Sequence, residues 1–328
     1  MLRTGELQAH AGPACERLRL ASLLTTLVTI SIAAASAPWL GVRWSLTGAA
    51  SAALILAVLL GASLRLRALR PQSAIATFSE ILAVLLLGGL AGATVALISL
   101  RSGAPMADEW LRSADAMFGL SAQALVSWVA GLGVSLEPLH LIYESSFFQI
   151  AASILLLPFL GRALEAWRLC FLFLATLLTC ALTAFAIPAY GSFTYAAAAT
   201  VKALPPGSGT FWWAAIDRYR SADVAVVGLH DLSAVVSFPS FHMIMALLAM
   251  QAWSWNPALR LPVFALNFAV MFTTLPMGGH YFVDLAGGAL VWLIWSAIAD
   301  GDDWRPFNDK VNAIRRMGAA MRADARAG

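Results

Sequence analysis

Apolar runs long enough to cross a bilayer alternate with short polar joints along most of this chain. Eight stretches have the length or the flanks of membrane spans, at about 18–39, 46–64, 78–100, 139–160, 168–187, 241–255, 259–276 and 281–299, the sixth and seventh being the shortest. Two longer polar intervals, 101–138 and 188–240, interrupt the series. No soluble domain, low-complexity tract or repeat stands out. The pattern predicts an all-α, polytopic membrane bundle of about eight transmembrane helices.

Composition narrows this further. With 60% hydrophobic and 12% charged residues and a mean hydropathy of +0.77, an ordinary soluble protein is excluded. The net charge of +3 does not point to nucleic acid, because the arginines stand at the ends of apolar runs and form no single basic face. Their positions report topology. With a cytoplasmic N-terminus, all but six of the 21 Lys and Arg residues fall inside, leaving Arg43, Arg101, Arg112, Lys202, Arg218 and Arg220 outside. The expectation is an integral protein of a cell membrane, the inner membrane of a bacterium, with both termini cytoplasmic. A small-residue stretch at Ala33–Ala37 resembles a cleavage site, but cleavage there would leave the later spans oriented as before. Cys15, Cys170 and Cys180 have no CxxC spacing, so neither a disulfide nor a cysteine-ligated metal is expected.

The two polar intervals have their own patterns. In Ala107–Leu120, Trp110, Ala114 and Met117 share one helical face while Asp108, Arg112 and Asp115 share the other, as in an amphipathic helix at the interface or packed on the bundle. The 188–240 interval has the prolines and glycines of a loop region, with Phe211, Trp212 and Trp213 as a headgroup-level anchor. It also carries DRYR at Asp217–Arg220, either solvated loop charges or an anion site.

Chemistry-bearing residues converge on two helix mouths, SFPSFH at 237–242 and GGHYFVDLAGG at 278–288. His280 and Asp284 are one turn apart, so the carboxylate can fix the tautomer of the imidazole and stabilise its cation. His242 opens another apolar run on the same side. A phosphate ester there would find a nucleophile in His280, a proton donor in His242, and N–H donors at Gly278 and Gly279, where a helix start favours an anion. Each piece has a plainer reading. A lone interfacial histidine is more often structural, and the three residues could also ligate a metal, a reading that ranks lower because no fourth ligand is evident. Glu144 could partner His242 or serve packing, and His140 stands one turn before it. A transporter or non-catalytic scaffold would treat the histidines as gating or relay groups.

At these residues the chain resembles the type 2 phosphatidic acid phosphatase superfamily, and within it the inositol phosphorylceramide synthase-like branch. SFPSFH at 237–242, PMGGHYFVDLAGG at 276–288 and, more loosely, DEWLRSADAMFG at 108–119 carry the resemblance, with the ordering of six helices from about Glu80 to Ala299. It covers a six-helix catalytic membrane domain at 77–300 and leaves outside it the two N-terminal transmembrane helices expected at 1–76 and a cytoplasmic tail at 301–328. It implies a metal-independent enzyme without cofactor, its site under the outer surface. By the resemblance, His280 forms a phosphohistidine, Asp284 orients it and His242 protonates the leaving group. The KxxxxxxRP motif of the family's lipid phosphatases is missing, Thr274 stands where they have an arginine, and SFH replaces SGH. Arg218 and Arg220 are expected to compensate as phosphate ligands. The departures favour a transferase that moves a phosphoryl-containing head group, in sphingolipid-type metabolism, from a lipid phosphate or phospholipid to an alcohol. A phosphatase passing it to water, from a lipid phosphate or prenyl pyrophosphate, is the alternative.

Overall fold

The computed structural model describes residues 4–70, 73–210, 212–228 and 236–301. Phe211 and all but the first residue of the expected tail at 301–328 lie outside the described residues. The expected all-α bundle is what the chain forms: about 75% of it is helical, and twelve α-helices stand among the described residues. In order they are α1 (Thr4–Trp39), α2 (Leu46–Leu69), α3 (Ala74–Ser99), α4 (Asp108–Met117), α5 (Ala122–Ala130), α6 (Glu137–Phe159), α7 (Ala163–Thr183), α8 (Ala198–Lys202), α9 (Trp213–Ser221), α10 (Phe241–Trp253), α11 (Pro257–Thr274) and α12 (Phe282–Asp300). Serine side chains cap α2, α3, α5 and α10 by accepting N–H bonds, and Asn256 caps α11 ahead of Pro257.

Among the described residues, seven helices are long and apolar enough to span a membrane, against the expected count of about eight. The exception is α10. Its 13 residues rise about 20 Å, short of a ~30 Å hydrocarbon core. The 188–240 interval is also not a plain loop. It folds into a 3₁₀ turn at Ser192–Tyr195, α8, α9 and a strand, β2 (Ala225–Val227), which pairs in parallel with β1 (Val42–Trp44). Local patterning could not reveal this pair, because its strands are three residues long and 180 residues apart.

The core forms where α3 and α7 lie against α1, with α6, α10 and α12 closing around them. Gly88 and Gly92, one turn apart on α3, allow the close approach: a Cβ at either would fall within 2.7 Å of Leu174 or Leu177 of α7. At the end of the bundle far from the histidines, Arg19 and Arg67 converge on the buried carboxylate of Glu80, tying α1 and α2 to α3. Arg17 donates to the Ala299 carbonyl at 3.0 Å, so the beginning of α1 and the end of α12 share one face of the bundle.

Candidate active site

Three segments meet at the opposite end: the mouth of α10, the mouth of α12 and the second turn of α6. A second glycine pair brings the two mouths together. A Cβ at Gly288 would lie 2.5 Å from the Ser240 carbonyl, and one at Gly287 would lie 2.8 Å from the Phe238 ring. The Ser240 N–H then donates to the Asp284 carbonyl at 2.9 Å. The structure thus brings together His242, His280 and Asp284, with 6.2 Å between the two imidazole centroids.

Asp284 Oδ2 accepts from His280 Nδ1 at 3.1 Å, from the Tyr281 N–H at 2.8 Å and from Ser237 Oγ at 3.0 Å. An ionised carboxylate only accepts, so His280 Nδ1 carries the proton. The lone pair of the neutral ring is left on Nε2, which lies 3.5 Å from Ser240 Oγ. His242 is held differently. Its ring stacks on Tyr143 with centroids 4.1 Å apart, the Tyr143 hydroxyl is 3.2 Å from its Nδ1, and Phe147 meets it edge-on.

The loop before α12 accounts for Gly278 and Gly279. Gly278 abuts the Tyr143 ring, which would lie 2.9 Å from a Cβ there, and Gly279 turns the chain at a φ of +67°. The Gly278 N–H, expected to face an anion, donates to the Thr274 carbonyl at 3.1 Å. Gly279 is the member of the pair whose N–H has no backbone acceptor among the described residues. Its carbonyl takes the Ser192 N–H at 2.6 Å, docking the 188–210 loop on the site.

The expected phosphate arginines are not part of this constellation. Arg220 donates to the carbonyls of Ala104 at 2.8 Å and Leu100 at 3.4 Å, which fastens α9 to the end of α3. Arg218 is exposed on the same helix, beside the Tyr219 ring. Neither lines the cavity that holds the histidines. Thr274 is buried and bonded to the Val270 carbonyl.

Amphipathic patterning does not show the part that α4 plays at the site. Its apolar residues Trp110 and Met117 are 55% and 83% exposed, while Asp108 and Asp115 are only 3% and 2% exposed. The acidic face turns inward because it meets N–H donors there. Asp115 accepts from Phe282 and Val283 at 3.0 and 2.8 Å, capping α12, and Asp108 accepts from Tyr190, Gly191 and the Tyr281 hydroxyl. Burial pushes both carboxyls above the usual carboxylate range, and these donors offset only part of that rise. Arg112 stays outside, paired with Glu109 and over the Tyr195 ring. The aromatic anchor also turns inward: Trp212 is buried, and the indoles of Trp212 and Trp213 both donate to the Tyr190 carbonyl at 3.1 Å.

A cavity of about 300 Å³ opens beside the two histidines. Its polar lining is Tyr143, Glu144, His242 and His280, and most of the rest is apolar side chain from α3, α7 and the mouth of α10. Glu144 makes no ion pair or side-chain hydrogen bond among the described residues, and it is not within bonding reach of His242.

In comparisons with known proteins, a family model described as the PAP2 superfamily matches residues 109–298. The match starts in the first turn of α4 and takes in both histidine mouths. No curated protein and no solved structure matches the chain.

Proposed function

The chain belongs to the PAP2 superfamily, and from that premise we propose that it is an integral membrane lipid phosphotransferase working through a phosphohistidine on His280. Membership supports a lipid-phosphate phosphatase or phosphotransferase activity in general. The observation that carries the finer reading is the His280 Nδ1–Asp284 Oδ2 bond, which leaves the lone pair on Nε2 of a ring that lines the same cavity as His242.

In the first half-reaction Nε2 attacks phosphorus, the bond to the leaving oxygen breaks, and protonated His242 gives that oxygen its proton. The imidazole gains positive charge as it is phosphorylated, and Asp284 stabilises it. In the second half-reaction an alcohol O–H attacks the phosphorus, its proton passes to His242, and the P–N bond breaks. The N–H of Gly279, which has no backbone acceptor among the described residues, is the donor offered to the anion.

Transfer to an alcohol, as in the inositol phosphorylceramide synthase-like branch, fits two features. The walls of the cavity are largely apolar, which disfavours free water. The arginine pattern of the lipid phosphatases is missing, and Arg220 is tied to backbone carbonyls. We place the site on the outer face and both termini in the cytoplasm, on the strength of the arginine distribution.

The test is incubation of the purified protein with phosphate-labelled lipid donors, with and without alcohols, beside His280→Ala. From a phosphodiester donor the expected product is a new phosphodiester lipid, and from a lipid phosphate a new phosphomonoester, each forming only with an alcohol and disappearing in the variant. Free phosphate released without an alcohol would replace transfer by hydrolysis. No label on the protein from any lipid donor would overturn the phosphohistidine.

A further inference from the structure

We propose that the groove between α3 and α6 seats the hydrocarbon chain of the lipid substrate, joining the catalytic cavity at Gly89. This rests on the lipid-phosphate reading of the histidine site. A second cavity, of about 540 Å³, adjoins the first and shares Gly89, Ala93, Phe147 and Phe173 with it. Unlike the first, it is lined by apolar residues throughout, reaching Phe78 on α3 and Leu155 on α6. From Ala93 back to Phe78 the groove runs about 22 Å along the helix at 1.5 Å per residue. That exceeds one leaflet's share of a ~30 Å hydrocarbon core. The rings of Phe78 and Phe159, 5.9 Å apart, stand at its far end.

The polarity of the two cavities fixes which way an amphiphile lies. A phosphate belongs beside His242 and His280, and the continuous apolar path leads away from them between α3 and α6. Gly89 stands where the two spaces join. Its neighbours Gly88 and Gly92 are tight against α7, but a Cβ at Gly89 would meet nothing within 4 Å. Helix packing therefore does not require a glycine there, and a mid-helix glycine weakens a helix relative to alanine. What it provides is an open passage.

The bilayer is as apolar as the groove, so burial alone gains little for a lipid already dissolved in the membrane. The groove acts by alignment: a chain held along α3 brings its phosphate up to His280 Nε2, and misplacement by about 1 Å can reduce turnover a hundredfold. A side chain that blocks the passage will exclude a long chain and leave room for a short one.

The experiment compares Gly89→Leu, at the junction, and Ala151→Leu, in the distal groove, with the wild type on a long-chain and a short-chain alkyl phosphate. In both variants the long-to-short ratio of kcat/KM should fall about tenfold or more. A ratio that stays constant, whether both rates fall or neither does, overturns the groove. A second measurement needs no turnover: a long alkyl phosphate with a photoreactive group at its chain end is crosslinked, and the labelled peptides are mapped. Label should fall within 78–90 or 150–155 and be lost in Gly89→Leu; label elsewhere, or unchanged in that variant, refutes the assignment. If the wild type forms no phosphohistidine from any lipid phosphate, the catalytic reading fails, and the label map still decides the groove.

Discussion

The two histidine mouths lie side by side and are wired differently. His280 on the α12 mouth leans on a carboxylate that is itself fixed by two further donors. His242 on the α10 mouth leans on the phenol of Tyr143. A carboxylate accepts only, so it holds the His280 proton on Nδ1 throughout and favours a ring that becomes cationic. A phenol can donate or accept, so Tyr143 can follow His242 as that ring takes up and releases a proton. One mouth suits a covalent intermediate and the other suits proton transfer.

The comparison breaks most sharply at Asp284. Asp284→Asn keeps a polar group in place but loses the charge that supports the phosphorylated ring, and turnover should fall on the order of 10³-fold. Single-turnover labelling should show the loss in formation of the protein-bound phosphate. His242→Ala should cost on the order of 10²-fold with an alkyl leaving group and much less with an aryl phosphate, whose phenolate leaves without a proton. An equal loss on both substrates would remove His242 from proton transfer. Tyr143→Phe keeps the stacked ring and removes the hydroxyl, so about a tenfold loss in kcat with a displaced acidic or basic limb of the pH–rate profile is expected. A drop without any change in the profile would make Tyr143 a packing residue.

The smallest expected effect concerns how the α12 mouth is held. Asp115→Ala leaves the N–H groups of Phe282 and Val283 without their acceptor and should cost about 1–2 kcal/mol, read as a lower unfolding temperature in detergent. Asp115→Asn, which retains one carbonyl oxygen, should recover part of it. If Ala and Asn behave alike, the cap is not what holds the mouth.

How much of this could be read from the sequence depends on the range of each interaction. His280 and Asp284 are one helical turn apart, so their bond was legible from spacing. Tyr143 is 99 positions from His242, and no local pattern marks it as a partner. The acidic face of α4 misled for a definite reason: amphipathic patterning assumes that charges seek water, but Asp108 and Asp115 found unpaired N–H donors at a helix start and a loop instead. Arg218 and Arg220 are legible in the sequence only as charges in a polar interval, and the packing of α9 against α3 is what shows Arg220 occupied by carbonyls.

The sequence by itself determined a helical membrane bundle and the histidine–carboxylate pair, because hydrophobic run length and one-turn spacing act within a single element. The tertiary structure alone decided that Gly287 and Gly288 press the two mouths together, that Tyr143 supports His242, and that Gly89 opens the catalytic cavity toward an apolar groove. Those features depend on which helix faces lie within a few ångströms of each other, and that is fixed only when the whole bundle packs.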